Sequence, residues 1–137
     1  MMSFKEKQNA IIKDFDFFED WMGKYEYIIE LGKEIDLIPE KEKKEEQLIH
    51  GCQSRVWLMS RYRDNKMYFY ADSDAIITKG IIALLIKVMN GESPETVVKE
   101  DLFFIQEIGI QEHLSPTRAN GLLEMVKKMK LEALKNI

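Results

Sequence analysis

Between residues 54 and 71 the apolar period of this chain changes, and the change constrains its fold more than any other feature. Val56, Trp57, Leu58 and Met59 make one compact apolar run, and Met67-Tyr68-Phe69-Tyr70-Ala71 makes another. Between them lies Arg63-Asp64-Asn65-Lys66. Asp and Asn tolerate the positive φ of a tight turn. The two runs therefore predict an antiparallel hairpin. A two-stranded ribbon is marginal alone, so a third strand or covering helices must support it, and residues 47–50 are candidates for part of that strand.

On both sides of the hairpin the apolar residues recur at helical spacing. Ser3 and Glu6 stand at the separation of a capping box, ahead of Phe4, Ile11, Ile12, Phe15 and Phe18. A second helix is expected from about Trp21, with Trp21, Met22, Tyr25, Ile28 and Ile29 on its apolar face and Gly32 as its weakening or end. After the hairpin, Ser73 and Asp74 are N-cap candidates for a helix carrying Ile77, Ile81, Leu84, Leu85 and Val88, which Asn90-Gly91 stops. Ser93-Pro94 and Ser115-Pro116 each read as a cap followed by proline at the first helical position. Between these starts, Leu102, Phe103, Ile105 and Ile108 cluster and end near Gly109; the last helix carries Leu122, Val126, Met129 and Ala133. Residues 39–47 are almost wholly polar and read as a solvated connector. Helices, then a hairpin, then helices predict an α+β fold: a small antiparallel β-sheet packed against several α-helices.

Composition narrows the function classes. With 137 residues, 45% of them hydrophobic, the chain is expected to form one domain over residues 1–137 with a real core. The longest strictly apolar run, Ile81-Ile82-Ala83-Leu84-Leu85-Ile86, is far too short to span a bilayer. The net charge of −4, with both signs mixed along the chain, argues against a nucleic-acid binder. No apolar signal segment opens the chain, and a single cysteine with no such signal points to the reducing cytoplasm. There is no phosphate-binding glycine loop and no dinucleotide fingerprint, so no cofactor of its own is expected.

That single cysteine, Cys52, lies in Gly51-Cys52-Gln53-Ser54-Arg55. One thiol closes no internal disulfide and builds neither an iron–sulfur site nor a structural zinc site. It can be a nucleophile, a carrier of a sulfur or acyl group, or an inert core residue. Gly51 leaves room for close approach, and the position joins a polar connector to a strand, where functional residues concentrate. Arg55 stands near enough in sequence to favour a thiolate. In an extended segment His50 and Cys52 would share a side. A cysteine hydrolase would need a base and an oxyanion hole; His50 and His113 are the two histidines, and no spacing rule joins either to Cys52. Two histidines and one cysteine give no metal-ligand spacing. Arg118 sits third in its helix, where a cation opposes the dipole. A nearby charge, with Asp74 one candidate, or a binding role would account for it.

Gly51-Cys52-Gln53-Ser54-Arg55-Val56-Trp57 resembles the cysteine motif of the SufE family of sulfur-acceptor proteins. Three further segments are similar, in the same order: residues 24–32 to the family's second helix, 72–80 to its strand-to-helix turn, and 113–122 to the start of its last helix. The connector 39–47 has no family pattern, and His50 is not part of the motif. The resemblance implies a fold close to that of the iron–sulfur scaffold proteins. It further implies a carrier whose acceptor residue is Cys52, taking persulfide sulfur from a pyridoxal-phosphate (PLP) cysteine desulfurase, stimulating that enzyme, and passing sulfur to a downstream iron–sulfur scaffold. Gly51, Gln53, Arg55, Asp74 and Arg118 then become candidates for ordering the cysteine loop or contacting the partner. Three alternatives stand beside this reading: an acceptor serving a different desulfurase pathway, a non-catalytic desulfurase-activating module, and a cysteine-dependent hydrolase.

Overall fold

The capping box at the start of the chain forms as its spacing predicts. In the computed structural model, which describes residues 2–52 and 54–137, the Ser3 hydroxyl accepts from the Glu6 amide at 3.1 Å, and Glu6 Oε1 accepts from the Ser3 amide at 2.9 Å. Together they open α1, Phe4–Asp16, which buries Gln8, Ile11 and Phe15. The next helix, α2, spans Trp21–Glu34 and is capped by Asp20, whose carboxylate accepts from the Gly23 amide at 2.9 Å.

The hairpin consists of β1, Val56–Arg63, and β2, Lys66–Ser73, paired antiparallel from Val56 opposite Ser73 to Arg63 opposite Lys66. Asp64 and Asn65 occupy the turn with φ of 53° and 61°. Two consecutive residues in the left-handed region match the right-handed twist of the strands they join. One sheet face, formed by Val56, Leu58, Met67, Phe69 and Ala71, is fully buried.

That face packs on α3, Ile76–Met89. Ten of the residues of α3, from Thr78 to Met89, are buried, so it is the central rod of the fold. Around it lie α2, α1, and the long last helix α6, Pro116–Leu134. Two short helices, α4 at Pro94–Lys99 and α5 at Phe103–Ile108, pack against α6 and α1 respectively. Both serine-proline starts form: Ser93 accepts from the Thr96 amide and Ser115 from the Arg118 amide.

Three local expectations are corrected. Gly32 does not end α2, which continues to Glu34; it lies buried where α2 crosses α3. An added Cβ there would meet the Gly80 amide nitrogen at 2.9 Å, so the glycine serves close approach rather than termination. Neither Ser73 nor Asp74 caps α3. Its N-cap is Ala75, without a side-chain cap bond: the Asp74 carboxylate accepts from the Arg55 amide, and the Ser73 hydroxyl donates to the Arg55 carbonyl while accepting from the Ala75 amide at 3.2 Å. The connector 39–47 is not simply solvated. It contains two short 3-10 turns, Glu40–Glu42 and Glu45–Gln47, and between them Lys43 turns inward to Asp72 and over the Trp57 ring, 5.2 Å from its centroid.

Support for the ribbon comes at both edges. Leu48 bridges Trp57, with the Ile49 amide donating to the Val56 carbonyl at 2.8 Å, as expected for residues 47–50. On the other edge, unforeseen from sequence, Leu37 makes a parallel bridge to Ala71.

Candidate functional site: the Cys52 loop against the last helix

The loop enters from the Leu48 bridge, and its first tie is to α6. Gly51 takes φ of +92°, a conformation that disfavours any side chain. Its carbonyl accepts a hydrogen bond from Asn120 Nδ2 at 3.0 Å. Space is also short there, since a Cβ on Gly51 would lie 2.9 Å from Glu124 Cγ. Asn120 and Glu124 are one helical turn apart, so they reach the loop from the same side of α6.

Cys52 is half-buried and rests on Gly121. Its Sγ lies 3.8 Å from the Gly121 carbonyl oxygen, a weak thiol contact. A Cβ at Gly121 would sit 3.3 Å from that sulfur. The bare helix surface at Gly121 is thus the seat of the thiol. Burial, followed by the Glu124 carboxylate, pushes the Cys52 thiol up to about 11. The resting thiol is therefore protonated at neutral pH. This reverses the expectation that Arg55 favours a thiolate: the charge acting on the sulfur is that of Glu124, and the Arg55 side chain is exposed.

Downstream, the loop is tied to the end of β2. Asp74 Oδ1 accepts from the Arg55 amide at 3.1 Å, the Asp74 amide donates to the Arg55 carbonyl at 3.3 Å, and Ser73 Oγ donates to the same carbonyl at 2.8 Å. Asp74 thus meets the loop exit through Arg55 rather than through Arg118. Among the described residues there is no ion pair between Asp74 and Arg118, and the buried Nε of Arg118 has no hydrogen-bond partner. Gln53, between the two ties, lies outside the described residues.

Neither histidine is bonded to the thiol among the described residues. His50 is exposed. The His113 ring stacks on Trp21 at 3.9 Å between centroids, and its carbonyl accepts from the Tyr25 hydroxyl. His113 therefore helps seat the segment before α6 on the start of α2.

Sequence reasoning missed Asn120, Gly121 and Glu124 as loop contacts. Gly121 carried a readable signal, because a glycine inside a helix is costly and usually marks close packing. Glu124 carried none, since one acid on a charged helix reads as solvated. No helix among the described residues is long and apolar enough to cross a membrane.

Residues 9–133 match the family model SufE, described as an Fe-S metabolism associated domain. An uncharacterized SufE-like protein of Rhizobium meliloti is 38% identical over 130 residues, covering 91% of this chain and 93% of the relative. Another, of Rhizobium etli, is 37% identical over 135 residues, covering 95% and 91%. The solution structure of a hypothetical protein from Thermus thermophilus shares the fold, with a TM-score of 0.78 at 21% identity over 94% of both chains.

Proposed function

This chain belongs to the SufE family, associated with Fe–S metabolism, and from that premise we propose that it is a sulfur carrier whose acceptor is Cys52. The donor is a PLP-dependent cysteine desulfurase, which strips sulfur from free cysteine and holds it as a persulfide on its own cysteine. The Cys52 thiolate attacks the outer sulfur of that persulfide. A sulfur–sulfur bond forms on Cys52 as the bond to the desulfurase sulfur breaks, and the leaving thiolate takes up the proton that Cys52 gave up. One persulfide and one thiol enter and leave, so neither oxidant nor reductant is consumed. Cys52 then hands its sulfur to an iron–sulfur scaffold. A free acceptor thiol is what a reducing compartment such as the cytoplasm preserves.

The observation that carries this reading is the setting of the chain's one thiol. It stands on a short loop between two ties, Asn120 to the Gly51 carbonyl and Asp74 to the Arg55 amide. Sheltered and protonated at rest, it needs the docked partner to move it from Gly121 into reach. Arg118, whose Nε has no partner among the described residues, and Gln53 within the motif are the proposed contacts to the desulfurase.

The test mixes the protein with a PLP-dependent cysteine desulfurase and free cysteine, followed by intact mass without reductant. One added sulfur atom on the wild type, absent from Cys52→Ser, is the expected result. The same protonated, withdrawn state would also suit a module that only activates the desulfurase. No added sulfur, with Cys52→Ser still stimulating the enzyme, would overturn the carrier reading in favour of that module.

A further inference from the structure

Asn120 and Glu124 touch the cysteine loop from one turn of α6, and the two contacts differ in kind. Asn120 donates to the Gly51 carbonyl at 3.0 Å, holding the loop down. Glu124 lies over Gly51, close enough that a Cβ there would be 2.9 Å from Cγ and 3.5 Å from the carboxylate carbon. Between them Gly121 offers the bare surface on which Cys52 rests.

We infer that Asn120 and Glu124 form a two-part guard on the acceptor thiol, Asn120 holding its loop on α6 and the Glu124 carboxylate, over Gly51, opposing a charge on the sulfur beside the effect of burial. Both are positioning residues, since they act through the loop and the local field and not on the transferred sulfur. The inference rests on reading Cys52 as the acceptor, and it assigns the regulation of that site. While the loop is seated, the carboxylate opposes formation of a second negative charge on the sulfur. Breaking the Asn120 bond, with the weak Sγ contact to Gly121, lets the loop leave α6, and the same movement carries the thiol away from Glu124. Release and activation are therefore one event, which a docking partner can trigger.

The charges around the thiol agree with this assignment. On α6, the charged residues flanking Gly121 are Arg118 and Glu124. Along the loop, His50 and Arg55 flank Cys52, and both are exposed. Of these, Glu124 is the one whose charge bears on the sulfur, and it acts in the same direction as burial.

The test uses the whole protein alone, so it does not depend on any desulfurase. Alkylation of Cys52 by iodoacetamide is followed from pH 7 to pH 11.5 for wild type, Asn120→Ala and Glu124→Gln. Both substituted positions are at least partly exposed, and an unchanged thermal midpoint checks each fold. Glu124→Gln is expected to shift the rate profile to lower pH and to speed alkylation at pH 8 by at least about threefold. Asn120→Ala is expected to speed alkylation by about fivefold, from the loss of one hydrogen bond holding the loop. A Glu124→Gln profile that superimposes on wild type would overturn the electrostatic half, and an unchanged Asn120→Ala rate would overturn the positional half. Responses as expected in a protein that takes up no sulfur would leave the guard standing and remove the carrier reading.

Discussion

Gly80 of α3 presses on Ile28 of α2 so closely that a Cβ on Gly80 would lie 2.2 Å from the Ile28 carbonyl oxygen. Across the same crossing, Gly32 meets the Gly80 backbone. Two glycines thus let the backbones of the two helices approach where side chains would hold them apart. The closeness matters beyond the core. The start of α2 carries Trp21 and Tyr25, which hold His113 ahead of α6, and α6 carries the seat of Cys52. Gly80→Ala is therefore expected to lower stability by about 3 kcal/mol, because the obstacle is backbone and cannot rotate away. Urea denaturation measures this; a loss below about 1 kcal/mol would mean that the helices separate cheaply.

The pH dependence of Cys52 follows from its burial and from Glu124. Folding raises the thiol from an ordinary 9.0 to about 11. Between those values the unfolded chain has lost a proton that the folded chain keeps. The associated stability is fully present below pH 9.0 and is lost as pH rises through about 11. Alkylation of the native protein should be half-maximal near pH 11, and that of the urea-unfolded chain near pH 9. A native midpoint at or below pH 9 would show that the thiol is not sheltered at rest.

Asp74 holds the exit of the loop through the Arg55 amide. Asp74→Ala removes that acceptor at an exposed position, so its cost to global stability should stay within about 1 kcal/mol. The local effect is the larger one. Amide exchange at Arg55 and Val56 should quicken while that of the α3 core does not change. Hydrogen–deuterium exchange reads this directly, and equal protection at Arg55 in both proteins would show that Ser73 alone fixes the turn.

Arg118→Ala should weaken stimulation of a cysteine desulfurase without unfolding the chain. The cap at this end of α6 is a bond from the Arg118 backbone amide to Ser115 Oγ, which the substitution leaves intact. The thermal midpoint should therefore hold while the concentration needed for half-maximal stimulation rises about tenfold, as for a lost charged contact at an interface. Full stimulation by the variant would take Arg118 out of the site.

The sequence by itself determined the elements and the identity of the reactive group. Periodicity located the hairpin and its Asp64-Asn65 turn, and serine–proline pairs marked two helix starts, because these signals act over a few residues and need no tertiary partner. The motif around Cys52 pointed to the family that the chain matches. What tertiary structure alone decided was the use of residues with more than one possible partner. Gly32 read as a helix end until Gly80 came against it. Ser73 and Asp74 read as caps, yet their hydrogen-bonding atoms found the backbone of Arg55 at the exit of the cysteine loop. Arg55, close in sequence, promised an activated thiol. Burial, reinforced by Glu124, which is distant in sequence and indistinct on its helix, decides the opposite, because electrostatic influence follows distance through space and burial and not separation along the chain.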